Sequence, residues 1–343
     1  MTSKRIGFFS RLLDDAPPGE RYRMGVEQVL RAEALGFDSF WIAQHHFDGT
    51  EGGMPSPLLF LSHLAARTSW IRLGTGIVTL PMEQPLRVAE DAAVLDALSN
   101  GRLEIGLGSG GTPTSFAAFG LDHGARSEVF DRHLAVLRSA WAGKDVGGGN
   151  LLYPAAPGLN DRVWQATFSV RGGERAGRDG DGLLLSRTQP RPPGEPLLPL
   201  HEIQLPIVDA YHAALPPGRA PRILASRSVF VADSRADART FAEAGLRRIA
   251  ERFRRAGHEL PGTSIDDLIR AFDTHCGTPD EVAESLSRDA TLAHATDVAV
   301  QVHSVDPPHR FILRSLELFA QQVAPALGWT ALPARPRMAA LRP

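Results

Sequence analysis

The chain has 343 residues, 43% hydrophobic and 22% charged, with 37 basic against 39 acidic side chains and a net charge of −2. That balance offers no electrostatic case for nucleic-acid or membrane-surface binding. The single cysteine, Cys276, excludes an internal disulfide and fits a reducing compartment.

In chain order, short β-rich runs alternate with longer amphipathic ones. RIGFFS (5–10) reads as a strand, and residues 20–36 as a helix closed by Gly36. DSFWIA (38–43) is the second strand, followed by helix 56–68 with Pro57 in its first turn. Strand 71–80, helix 85–98, strand 102–108 and helix 124–142 continue the alternation. Strands at 163–167, 182–186, 223–231 and 297–303 complete eight, with helices at 169–179, 234–256, 279–292 and 307–324. Eight strand-helix units predict an α/β fold, a closed (β/α)8 TIM barrel with a parallel sheet. Residues 143–161 and 187–222, rich in Gly and Pro, read as insertions after strands 4 and 6, the second with a helical patch at 200–214. One domain is expected over 1–330, with a disordered tail at 331–343. No run approaches 18 apolar residues, and the N-terminus lacks an apolar signal core, so a cytoplasmic location is expected.

Strand parity singles out candidate site residues. In DSFWIAQHH, Phe40 and Ile42 share one face, while Ser39, Trp41, Ala43 and His45 share the other. The bulky face suits the surrounding helices, so the second face points inward and brings His45 to the C-terminal mouth, where barrel active sites lie. His46 is not excluded, and a structural role for the pair stays open. No HExxH or CxxC accompanies it, so no metal is expected. In strand 4, Glu104, Gly106 and Gly108 face inward, where glycines leave room for a flat ring. GLGSGG (106–111) gives a dinucleotide pattern only with Gly111 as its third glycine and lacks the downstream acid, which disfavours that reading. Ser169 is a candidate helix cap, and the amides near Val170, Gly172 and Gly173 are candidates for holding a phosphate. His303 ends the last strand on the face shared with Gln301. Lys4 and Lys144 are the only lysines and neither sits at a barrel mouth, which disfavours Schiff-base chemistry.

Taken together, these residues resemble the luciferase-like flavin-dependent monooxygenases. WIAQHHF (41–47) is similar to that family's W-x-x-E-H-H-F. Residues 73–110 resemble its central signature, with R-x-A-E-D at Arg87 to Asp91 and L-S-x-G-R at Leu98 to Arg102. Residues 168–186 resemble its phosphate region, and 315–328 its closing helix. The resemblance spans 5–186 and 275–328. It implies reduced FMN (FMNH2) as cosubstrate, a separate flavin reductase, O2, a small organic substrate and a homodimer formed through 56–68 and 85–98. It implies His45 as the base or the stabiliser of activated oxygen; Gln44 beside it, and His303 from strand parity, are further catalytic candidates, a structural role for His303 staying open. It further implies a cis peptide at Gly76–Ile77 behind the ring, and phosphate contacts around Ser169. Gln44 stands where the family has Glu, and Gly108 and Ser109 stand where luciferases have Cys and Arg, so light emission is not expected. A coenzyme F420-dependent reductase or dehydrogenase and a non-catalytic flavin-binding protein are the alternatives.

Overall fold

A computed structural model describes residues 4–192, 194–255, 260, 262–302 and 307–329. The strands are β1 (Arg5–Ser10), β2 (Ser39–Ile42), β3 (Arg72–Thr75), β4 (Val78–Thr79), β5 (Leu103–Gly108), β6 (Val163–Ala166), β7 (Gly182–Leu185), β8 (Ile223–Val231), β9 (Thr274–Gly277) and β10 (Asp297–Gln301). The helices are α1 (Pro18–Ala34), α2 (Pro57–Ala65), α3 (Pro85–Leu98), α4 (Pro113–Ala118), α5 (Arg126–Trp141), α6 (Val170–Arg178), α7 (Leu200–Ala214), α8 (Arg235–Arg255), α9 (Ile265–Ala271), α10 (Pro279–Ser287), α11 (Thr291–His294), α12 (His309–Leu318) and α13 (Ala324–Ala326). The strands pair in parallel in the order β10-β1-β2-β3-β5-β6-β7-β8, and β8 returns to β10, closing an eight-stranded (β/α)8 barrel.

All eight expected strands form the barrel wall, with the third divided into β3 and β4 by a cis peptide at Gly76–Ile77. β9 is additional. It pairs with the outer half of β8, Ser228 to Val231, beyond the barrel closure. The stretch between β8 and β10 is therefore an excursion of its own, holding α8 to α11, beside the insertions expected after strands 4 and 6. Within 307–324, α12 passes through a π turn at Phe319–Val323 before α13. Pro325 has no amide to continue the regular ladder, which accounts for the irregularity.

The expected parity holds. Phe40, Ile42, Leu103, Ile105 and Leu107 join the layer between strands and helices. Trp41 and Trp164 lie inside the barrel, edge to face, with centroids 5.5 Å apart. They fit because Gly74 and Gly182 are opposite: a Cβ at either would lie 2.3 or 2.1 Å from a tryptophan ring. Trp41 Nε1 donates to Ser39 Oγ (2.9 Å) and Trp164 Nε1 to Glu104 Oε2 (2.6 Å), so neither buried donor is unpaired.

Below this layer, Arg72 donates to Asp38 (2.7 Å), Glu104 (2.9 Å) and Asp297 (3.0 Å). Burial opposes its charge, but the three carboxylates outweigh burial and raise its pKa further above the ordinary arginine value. At the rim, Arg102 spreads over the carbonyls of Ala65, Thr68 and Ile71 (3.0 to 3.2 Å) and ties the end of α2 to the start of β5. The L-S-x-G-R turn sets this up, with Asn100 and Gly101 both at positive φ.

Candidate active site

The chain leaving β2 turns back on itself. His45 N donates to Met54 O (3.0 Å), Asp48 Oδ1 accepts the amide and hydroxyl of Thr50 (2.8 and 2.6 Å), and Gly53 N donates to Arg11 O (2.8 Å). This turn lays Gly52 against the His45 ring, where any Cβ would come within 2.4 Å of Cδ2. It also brings Glu51 Oε2 to 3.8 Å from His45 Nδ1. Arg252 of α8 pairs with Glu51 and with Asp48 (3.8 Å). The His45 contact, against burial and helped by Arg252, holds the Glu51 carboxyl below the usual range. Burial lowers the His46 pKa, with Glu83 opposing and His45 reinforcing. The His46 ring meets Phe119 edge to face at 5.0 Å.

Gln44 is buried beside them with its amide fully engaged. Its Oε1 accepts Thr79 N (2.7 Å), and its Nε2 donates to Pro55 O (3.1 Å) and Glu83 Oε1 (2.8 Å). A glutamate here would keep the Thr79 amide on one oxygen, but its other oxygen would face Pro55 O and the Glu83 carboxylate with no donor. Glutamine rather than glutamate thus satisfies both Thr79 N and the Glu83 carboxylate in this chain. Gln44→Glu is expected to destabilise the fold by about 1–3 kcal/mol, the cost of unpaired buried polar groups, measured by urea unfolding at pH 7. Equal stability would show that the Glu83 contact is not maintained.

His45 opens onto a cavity of about 820 Å³ at the C-terminal mouth of the barrel. Its floor includes Gly76, Ile77 and Ala166, and the last two pack on the tryptophan layer. Gly108 and Ser109 form part of the wall. The two inward glycines of β5 do not leave the empty room expected of them. A Cβ at Gly106 would fall 2.0 Å from the Thr75 carbonyl oxygen, because Thr75 Oγ1 bridges the Gly106 amide and carbonyl (2.8 Å each). A Cβ at Gly108 would fall 2.5 Å from Ile77 Cδ1. Both are glycines because β3–β4 lies close.

The far end of the cavity is cationic. Ser169 caps α6, accepting Gly172 N at 3.2 Å, and its carbonyl accepts Gly173 N at 3.1 Å. Those two amides are spent, which leaves the first-turn amides of Val170 and Arg171 for a ligand. The Gly173 Cα faces the Ile207 carbonyl of α7, and the Val170 side chain points to solvent. Arg126, Arg171, Arg175 and Arg178 line this end. Arg175 is oriented by Gln165 Oε1 (2.7 Å) and Asp131 (2.9 Å) and lies over the Phe130 ring at 4.4 Å. Gln165 in turn donates to Asp179 and Asp181 (2.8 Å each), and Asp181 pairs with Arg138 at 2.6 Å. Burial raises the Asp181 pKa to about 6 against the pull of Arg138.

One cavity thus gathers Gln44, His45, Gly76, Ile77, Gly108, Ser109, Ser169 and Gly172. His303 and the tail lie outside the described residues. Glu51 and the arginines escaped the sequence reading. The i, i+4, i+7 spacing of Arg171, Arg175 and Arg178 at an expected phosphate helix was the available signal for the latter. Among the described residues, no group of three or more His, Cys, Asp or Glu is placed to hold a metal ion, and no helix is long and apolar enough to cross a membrane.

Comparison with known proteins adds to this geometry. The family described as luciferase-like monooxygenase matches residues 6–294. The chain is 29% identical over 380 residues to 4-hydroxyprotoasukamycin monooxygenase of Streptomyces nodosus subsp. asukaensis, covering 99% of this chain and all of that one. It is 31% identical over 172 residues to the F420-dependent glucose-6-phosphate dehydrogenase of Amycolatopsis mediterranei, covering 46% of this chain and 52% of that one. In fold it is similar to the oxygenating constituent of 3,6-diketocamphane monooxygenase of Pseudomonas putida, solved with FMN. The TM-score is 0.77 at 18% identity, over 94% of this chain and 98% of that one.

Proposed function

The chain belongs to the luciferase-like monooxygenase family, and from that premise we propose that it is the oxygenating component of a two-component system. In this reading it binds reduced FMN supplied by a separate reductase and, with O2, oxygenates a small organic substrate. The observation that carries this is the single cavity with His45 at one end and arginines around the start of α6 at the other. FMN requires an apolar bed for its ring and a cationic, amide-lined pocket for its phosphate. Ile77 and Ala166 on the tryptophan layer suit the first, and Arg171, Arg175 and the open α6 amides suit the second. Reduced FMN, when bound, supplies the electrons with which O2 is activated. His45, on the wall of that cavity, would accept or return a proton there, the task an imidazole performs in general acid–base catalysis.

Anaerobic titration with reduced FMN, against reduced F420 followed by absorbance, tests the reading. Tighter binding of FMN is expected, and clear preference for F420 would replace the monooxygenase with the F420-dependent reductase or dehydrogenase that the Amycolatopsis relative suggests. Arg175→Ala is expected to weaken reduced FMN about 10- to 100-fold, the loss of one charge-assisted hydrogen bond. Unchanged affinity would move the phosphate away from α6.

A cytoplasmic homodimer completes the proposal. Leu59 of α2 is 75% exposed, and Leu98 and Val94 of α3 are 61% and 44% exposed. These are large apolar side chains on the two helices expected at the interface. Light scattering should give twice the chain mass, and Leu59→Glu with Leu98→Glu should halve it. A monomeric wild type would refute the dimer.

A further inference from the structure

We propose that Glu51 is a positioning residue for His45. Its carboxylate, anchored by Arg252 of α8, takes the Nδ1–H of the imidazole and leaves Nε2 as the proton acceptor of the site. The proposal rests on the reading of His45 as the proton-handling residue, and it names the carboxylate that Gln44 does not provide.

A neutral imidazole carries its proton on one nitrogen or the other, and the partner of one nitrogen decides what the second can do. An acceptor at Nδ1 selects the tautomer in which Nε2 has a free lone pair, and it stabilises the imidazolium formed when that lone pair takes a proton. Only the proton moves in this step.

Three observations place Glu51 in that role. The 45–54 turn is pinned at separate points, by His45 N on Met54 O (3.0 Å), Gly53 N on Arg11 O (2.8 Å) and Arg21 Nη1 of α1 on Gly49 O (2.8 Å). The carboxylate is therefore presented by a tethered backbone. Glu51 Oε2 is the carboxylate oxygen facing Nδ1, at 3.8 Å, with Gly52 backing the ring on its Cδ2 edge. Contacts of this kind are commonly longer without ligand and tighten in the complex. Finally, Arg252 binds Glu51 from an element 201 positions away, with Asp48 beside it, so the carboxylate is oriented from behind as well. Among the described residues, the other charged or titratable groups around this corner include His46, Asp48, Arg11, Arg21 and Glu83, and Glu83 is taken up by Gln44.

The test is a tautomer measurement that needs no flavin. Histidine 15N-labelled protein is examined by long-range 1H–15N correlation, with His45 assigned by its loss in His45→Ala. The neutral His45 of the wild type is expected to carry its proton on Nδ1. Glu51→Gln is expected to lose that preference, and Arg252→Ala to weaken it, which keeps the test available should Glu51→Gln fold poorly. In turnover, Glu51→Gln should lower product formation about tenfold or more while affinity for reduced FMN stays within twofold. A wild-type His45 protonated on Nε2, or a tautomer unchanged in Glu51→Gln, would overturn the proposal. A wild type that binds no reduced FMN would refute the proposed function while leaving the tautomer result to stand or fall by itself.

Discussion

Replacing His45 by alanine is expected to lower oxygenated product by about 10²- to 10⁴-fold, the usual contribution of a placed acid or base, with the fold kept. The residue faces a cavity, and its side chain lies against Glu51 and Gly52 of the turn that carries it, so truncation falls at the cavity wall rather than in the core. Glu51 keeps its partner Arg252 when the ring is gone, so no buried charge is left alone. The measurement is 18O incorporation from 18O2 per reduced FMN consumed, in parallel with circular dichroism. Affinity for reduced FMN should change little, because the phosphate end lies across the cavity. Undiminished incorporation would remove His45 from the reaction.

Arg72→Met is expected to lower stability by about 3–5 kcal/mol, the cost of removing one partner from a buried ionic cluster. Methionine fills much of the same space, so the loss reflects charge more than a cavity. Without the guanidinium, Asp38, Glu104 and Asp297 face one another across the barrel base. Arg5 still reaches Asp297 (2.8 Å) and Asp38 (3.6 Å), and Trp164 still donates to Glu104 (2.6 Å), but neither bridges all three carboxylates as Arg72 does. Urea unfolding reads the loss, and Arg72→Met combined with Glu104→Gln should recover part of it, since the two residues are coupled. A loss under 1 kcal/mol would mean that the carboxylates find solvent.

The two replacements act at opposite ends of the barrel and differ in legibility. His45 was legible because alternation along β2 is a local property: once Phe40 and Ile42 face the helices, Trp41 faces inward, and the same parity carried into the following turn points to His45, although His46 reaches the cavity as well. Arg72 carried no such signal, since a lone arginine at the start of a strand is ordinarily solvated. Its three partners come from the residue just before β2, from β5 and from β10, and only barrel closure brings them together.

The glycines of β5 show the same division. Their inward parity could be read from the sequence, but their purpose could not. Empty space for a ring and close approach of a neighbouring strand look identical as Gly106 and Gly108, and the position of Thr75 and Ile77 decides for the second. In sequence Gln44 reads as a lost carboxylate, whereas in the fold its amide donates to the Glu83 carboxylate.

By itself the sequence determined the alternation of strands and helices, the inward face of the second and fourth strands, the family signature and the cap at Ser169, because each depends on residues within a few positions of one another. The tertiary structure alone decided that β9 extends β8, that the arginines of α5 and α6 share a cavity with His45, and that Arg252 reaches Glu51. Those pairings join segments distant in the chain, and no periodicity encodes a partner that only the closed barrel and its returning loops bring within reach.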